Sequence, residues 1–136
     1  MAKYWNPELI SAQRTPAAVL KEAAAELNEE TKGCLELILG DPEPAGSFSV
    51  IKVSIHAPVV LQYTNEIIQL HSSAKLVYPV TVVAKNGIFM EVARNDRRVC
   101  QNETDFTDAI QIVFNADYVA ALLASLIAQS REKSEN

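Results

Sequence analysis

The chain has 136 residues, enough for one domain with a buried core on the usual scale of roughly 100 to 200 residues per domain. Apolar residues make up 49% and charged residues 21%, with only four Gly and six Pro, which excludes collagen-like, low-complexity and wholly disordered chains. Twelve Lys and Arg against 17 Asp and Glu leave a net charge of -5, which repels phosphate backbones and anionic lipid, so the sequence points to no nucleic acid and no membrane as partners.

Residues 1–14 lack periodicity, but Tyr4, Trp5, Leu9 and Ile10 are too apolar for a solvated tail, and this N-terminal arm is expected to dock. It contains no apolar stretch of the kind a signal peptide needs. Thr15 and Pro16 open a helix, the hydroxyl capping an orphan amide and the proline giving up an N–H that would lack a partner anyway. The spacing predicts a helix to about Lys32, with Leu20, Ala23, Ala24, Leu27 and Thr31 on one face and Gly33 in the left-handed position that ends it. Lys21, Glu22, Glu26, Glu29 and Glu30 point away as a solvated face. From Glu22 to Glu43 there are seven acidic residues and one base, Lys32, so this flank is acidic.

Cys34 to Leu39 reads as a strand, followed by a turn over 40–46. From Phe48 to Ala57, Ile51, Val53, Ile55 and Ala57 alternate with Lys52, Ser54 and His56, the pattern of a strand with one buried face. Glu66 to His71 forms a third strand. Ala74 to Ala84 forms a fourth, at an edge or bulged near Pro79, which has no N–H for a ladder. Asn86 and Gly87 fit a two-residue hairpin turn, pairing Val83 with Met90 and Thr81 with Val92. Helical spacing then returns. Phe106, Ala109, Ile110, Val113 and Phe114 share a face after Thr104 or Asp105 as cap, and Asn115 caps a last helix over 116–131.

These elements define an α+β fold with an antiparallel sheet of about five strands, one N-terminal helix and two C-terminal helices in two layers. The arm covers 1–14, the single domain 15–131, and 132–136 a frayed tail. The longest apolar stretch, Tyr118 to Ala128, falls short of the roughly 17 residues that span a bilayer, and two isolated cysteines, Cys34 and Cys100, suit a reducing compartment, so the expected localisation is cytoplasmic.

Chemistry is scarce. His56 and His71 are the only histidines, too few for a zinc site; a nucleophilic pairing of either with Cys34 or Cys100 depends on the fold. The glycines are too scattered for a nucleotide-binding loop, and no cofactor is expected. Arg94, Arg97 and Arg98 form a basic cluster on an expected connector, suited to an acidic partner, including the acidic first helix of a second copy. Val119, Leu122, Leu123, Leu126 and Ile127 stripe the last helix, whose other faces carry Ala120, Ala121, Ala124 and Ala128 and want no water, so its burial is expected either in the core alone or in part at a subunit interface of a homo-oligomer.

The first expectation is therefore a small non-enzymatic protein acting by protein–protein interaction, through self-association or polypeptide binding, with the Pro79 edge, the last helix, the arginines and Glu22, Glu26 and Glu30 as interface candidates. A translocation chaperone built from an antiparallel sheet followed by two helices would share the size, acidity and order of elements, an analogy at the level of fold. The alternatives are a small enzyme or ligand-binding fold with a pocket between sheet and helices, and an immunity or inhibitor protein whose acidic helix blocks a basic site.

Overall fold

The computed structural model of the chain describes residues 4, 6, 13–60, 63–73, 76–84, 88 and 96–135. Helix α1 (Pro16–Glu30) starts as its residues dictate: Thr15 is extended and its hydroxyl accepts from the Ala18 amide at 3.1 Å. Its end meets the expectation at Gly33, which is left-handed (φ 82°), and adds a second left-handed residue before it. Lys32 (φ 53°) takes the first left-handed position, its amide donating to Glu29 O at 3.2 Å while the Gly33 amide donates to Asn28 O at 2.8 Å. Val19 and Leu20 are buried, and Ala23, Ala24 and Leu27 pack half-buried on the core.

Strands β1 (Glu36–Leu39) and β2 (Glu43–Ala45) both pair with one edge of β3 (Phe48–Ala57). The expected turn over 40–46 is thus a kink followed by a short strand and a two-residue turn. At the kink the Gly40 amide donates to Lys52 O at 2.8 Å, and a Cβ on Gly40 would stand only 3.2 Å from that oxygen. The backbones approach this closely because the side chain is missing.

The other edge of β3 pairs along its whole length with β4 (Tyr63–Ser73), longer at both ends than the expected 66–71. The register shifts once: Val53 faces Ile68 but Ser54 faces Glu66, leaving Ile67 as a bulge. The extra residue lets the consecutive Ile67 and Ile68 both be buried, and puts Glu66, Gln69 and His71 on one face.

Strand β5 (Val80–Val83) follows Pro79, which is exposed and lies outside the ladder behind a cis peptide bond. β5 is interior, between β4 and β6 (Arg97–Cys100), in the order β1-β3-β4-β5-β6 with β2 beside β3. Two expectations are corrected here. Pro79 marks no free edge, and both sides of β5 are paired among the described residues, Val83 facing Gln69 and Arg97 and Thr81 facing His71 and Val99; Met90 and Val92, the expected partners, lie outside those residues. The Asn86–Gly87 turn itself lies outside the described residues. Arg97 and Arg98 sit in this strand rather than on a connector, because the β5 ladder takes their backbone groups.

Helix α2 (Glu103–Phe114) is capped by Asn102, not by Thr104 or Asp105: the Asn102 side chain accepts from the Asp105 amide at 2.9 Å, and Asp105 Oδ2 accepts from the Gln101 amide at 3.1 Å. Asn115 closes α2 instead of opening the next helix, its side-chain amide donating to Gln111 O at 2.8 Å. Helix α3 (Asp117–Glu135) then departs at 57° and runs past the expected end at 131 into the segment expected to fray, and Ser130 in its last turns is buried. Val119 and Leu126 are buried, and Leu122, Leu123 and Ile127 are half-buried against the core; Ala120, Ala121, Ala124 and Ala128, expected to avoid water, are exposed.

The fold is α+β: an antiparallel sheet of six strands among the described residues, one more than expected, with one helix before it and two after. One sheet face carries Leu37, Val53, Ile55, Ile68, Leu70, Val80, Val82 and Cys100, which join Leu20, Phe106, Ala109, Ile110 and Val113 of the helices in a single core. The second face carries Ile38, Lys52, Ser54, His56, Gln69, His71 and Val99, half-buried or exposed. Among the described residues no single helix is long and apolar enough to cross a membrane.

Candidate functional site

Helix α1 packs on β1, at one side of the sheet, and α2 on β5 and β6, at the other. Two helices on one sheet with unequal footings leave a furrow between them. Its near end is closed by a clasp. The Arg14 amide donates to Glu103 Oε1 at 2.6 Å, Arg14 Nε donates to Oε2 at 2.9 Å, and the same guanidinium pairs with Glu22 of α1. The Glu103 amide, an orphan at the start of α2, donates to Gln13 Oε1 at 2.7 Å. Tyr78 completes the clasp, its hydroxyl donating to Arg14 O at 2.8 Å and its ring meeting Phe106 edge-on at 6.5 Å.

The electrostatics follow from these contacts. The Arg14 amide, then its guanidinium, hold the Glu103 carboxyl below the usual carboxylate range, and the two carboxylates raise Arg14 in return. Burial pushes the Tyr78 hydroxyl up.

Beyond the clasp the furrow encloses about 500 Å³, within the roughly 300 to 1,000 Å³ of typical ligand sites. Its floor is Leu37 and Ile55 of the sheet. Val19, Ala23 and Leu27 line the α1 wall, Ile110 and Phe114 the α2 wall, and Val119 and Leu123 of α3 the far end. The rims are polar and repeat at four residues: Glu22, Glu26 and Glu30 on α1, Thr107, Gln111 and Asn115 on α2. A four-residue interval returns to the same helix face, so each rim is a row.

The candidates read from sequence separate cleanly. Glu22, Glu26, Glu30, Val119 and Leu123 come together in the groove; Leu122 and Ile127 support it from the core side, and Leu126 is buried. Arg97 is exposed and Arg98 half-buried on β6, neither lining the groove, and Arg94 lies outside the described residues. His56 bonds to Thr64 Oγ1 at 2.9 Å and His71 to Gln69 Oε1 at 2.9 Å, both on the second sheet face. Facing His71 is Val50, six residues from His56 along β3, so the rings stand about 20 Å apart.

Cys34 precedes β1 and Cys100 lies in β6, on opposite sides of the sheet and on the order of 20 Å apart. Burial pushes the Cys100 thiol up to about 11, which makes it inert. Neither thiol is bonded to a histidine among the described residues.

Sequence reading missed Arg14 and the Thr107, Gln111 and Asn115 row. The row was visible as a four-residue repeat, but its meaning depended on which helix lay opposite.

A second hollow of about 500 Å³ lies at the start of α1, bounded by Pro42, Pro44, Phe48, Leu76 and Val77. Among the described residues its lining carries no ionisable side chain. Compared with known proteins, the chain matches no family model, no curated protein and no solved structure.

Proposed function

We propose that the chain is a non-enzymatic binding module that seats an apolar stretch of another polypeptide in the groove between α1 and α2. One observation carries this reading: the groove is apolar inside and polar only at its rims, while the histidines and cysteines lie outside it. Catalysis needs an acid, base or nucleophile converging on one point in a cavity. Here the ionisable groups at the cavity are three exposed carboxylates in a row and a guanidinium already bound to two of its neighbours. Apolar walls, by contrast, gain free energy by covering a partner's side chains at about 25 cal/mol per Å² removed from water.

The test is a steric plug. Ala23 faces the groove and is half-buried, whereas Ala121 is exposed on the outer side of α3. Binding of a fluorescein-labelled helical peptide of Leu, Ala and Gln, about 18 residues or five turns long, is followed by anisotropy. Ala23→Trp abolishes it and Ala121→Trp leaves it intact. Equal binding by both variants, each checked for an intact thermal transition, would sink the groove reading.

A further inference from the structure

We infer that the occupant of the groove is an amphipathic α-helix carrying Lys or Arg at four-residue spacing along one flank. The inference rests on the groove reading and adds the conformation and charge of the partner.

The conformation follows from the walls. Both are α-helices, whose main-chain N–H and C=O groups bond within themselves, so the groove offers no ladder to an extended chain. A strand entering it would strip water from its own amides and find no replacement. A helix brings its backbone bonds with it, and needs to insert only the side chains of one stripe.

The charge follows from the rims. Glu22, Glu26 and Glu30 repeat every four residues, roughly 6 Å along the axis, which is the spacing at which a parallel or antiparallel helix presents its own residues. Glu22 is taken by Arg14, while Glu26 and Glu30 have no ion-pair partner among the described residues. The facing rim of Thr107, Gln111 and Asn115 is uncharged. Attraction is thus one-sided and fixes which flank of the guest is basic.

The clasp also sets a direction. Arg14 ties the N-terminal ends of α1 and α2 together, so both C-terminal ends fall near Glu30 and Asn115, where their backbone dipoles add negative potential to that of Glu26 and Glu30. The basic residues of the guest gather at that end, away from the guanidinium.

The experiment compares the neutral Leu–Ala–Gln peptide with versions in which every fourth residue is Lys or Glu, and with the Lys version interrupted by two central prolines. The Lys peptide binds about tenfold tighter than the neutral one, the worth of two rim ion pairs, and the Glu peptide binds more weakly. Glu26→Gln with Glu30→Gln erases that advantage. Asp41→Asn with Glu43→Gln, which removes two charges elsewhere on the surface, keeps it. The proline peptide loses binding. Equal binding of the Lys and neutral peptides, an advantage that survives the Glu26 and Glu30 changes, or a proline peptide as tight as its parent overturns the inference. Such a result leaves the groove reading standing where Ala23→Trp still blocks the neutral peptide. Failure of every peptide to bind overturns both.

Discussion

The backbone amide and the Nε of Arg14 both donate to the carboxylate of Glu103, at 2.6 Å and 2.9 Å, across 89 positions of sequence. This pair is where the segment before α1 meets the first turn of α2, and it holds the two walls of the groove at a fixed separation at one end. The carboxylate is also where the arrangement is most sensitive to acid.

The Glu103 carboxyl is depressed in the folded chain, so its contribution to stability is complete above its unfolded value of about 4.3 and is lost as pH falls through the lower folded value. Melting temperatures of the wild type and Glu103→Gln are expected to differ at about pH 7 and to converge as pH falls through the depressed range of the folded carboxyl. A difference that stays constant into acid would show that the Arg14 contacts do not hold the charge.

For Cys100 the sign reverses. Its thiol ionises at about 11 in the folded chain against 9.0 ordinarily, so stability falls as pH rises between the two values and is unaffected below the lower one. Cys100→Ala lacks that alkaline decline. A thiol reagent modifies Cys34, half-buried, in the native protein and reaches Cys100 only after denaturation. Two equally fast native thiols would contradict the burial.

The helix ends give a pair of opposite effects. Asn102→Ala removes the α2 cap and costs about 1 kcal/mol, whereas Thr104→Ala changes stability by less than about 0.5 kcal/mol. Lys32→Gly stabilises by about 1 kcal/mol, because a side chain at φ 53° crowds its own carbonyl and glycine relieves it. Denaturant midpoints decide both. A destabilised Lys32→Gly would mean that the freedom glycine gains in the unfolded chain outweighs the relief.

In the core, Phe106 is fully buried against Tyr78, and Phe106→Ala costs about 3 to 5 kcal/mol, enough to unfold a domain of ordinary stability at moderate denaturant. Ile112, four residues from Asp108 on the exposed side of the same helix, costs less than about 1 kcal/mol when truncated to Ala. Similar losses at the two positions would place the wrong face of α2 inward.

His56→Ala and His71→Ala leave peptide binding unchanged, since both rings lie on the sheet face away from the groove. Loss of binding in either variant, with the fold intact, would move the site to that face.

What could be read in advance tracks how local each signal is. β3 was legible because one buried face forces strict alternation from Ile51 to Ala57, and Thr15 with Pro16 announces α1 through bonds made within four residues. β4 was read short because the bulge at Ile67 breaks the alternation. Arg97-Arg98-Val99-Cys100 carries two charges and by itself reads as a connector, and only its ladder with β5 makes it a strand. Asn102 was passed over since Asn102, Glu103, Thr104 and Asp105 include three side chains able to cap. The groove divides the same way. In the sequence Glu22, Glu26 and Glu30 read as part of a solvated acidic face and as interface candidates, and only the position of α2 turns that face into a rim.

The bulge in β4 sets the two halves of that strand in different reading frames. Before Ile67 the odd-numbered Asn65 sits opposite Ile55 on the helix side, with Nδ2 3.5 Å from Tyr118 Oη of α3; after it the even-numbered Ile68 and Leu70 hold that side. Deleting Ile67 would leave Glu66 opposite Ser54 and Ile68 opposite Val53 as direct neighbours, so both halves would share one frame with every remaining side chain on its present face, at the loss of the buried Ile67 side chain and of the bend. The bulge is therefore a place in β4 where losing one codon costs packing but leaves the pattern of the sheet intact. At the Gly46–Ser47 hairpin, whose loop is already only two residues long, the same change has no spare residue to take and would pull Ala45 and Phe48 out of their ladder pair.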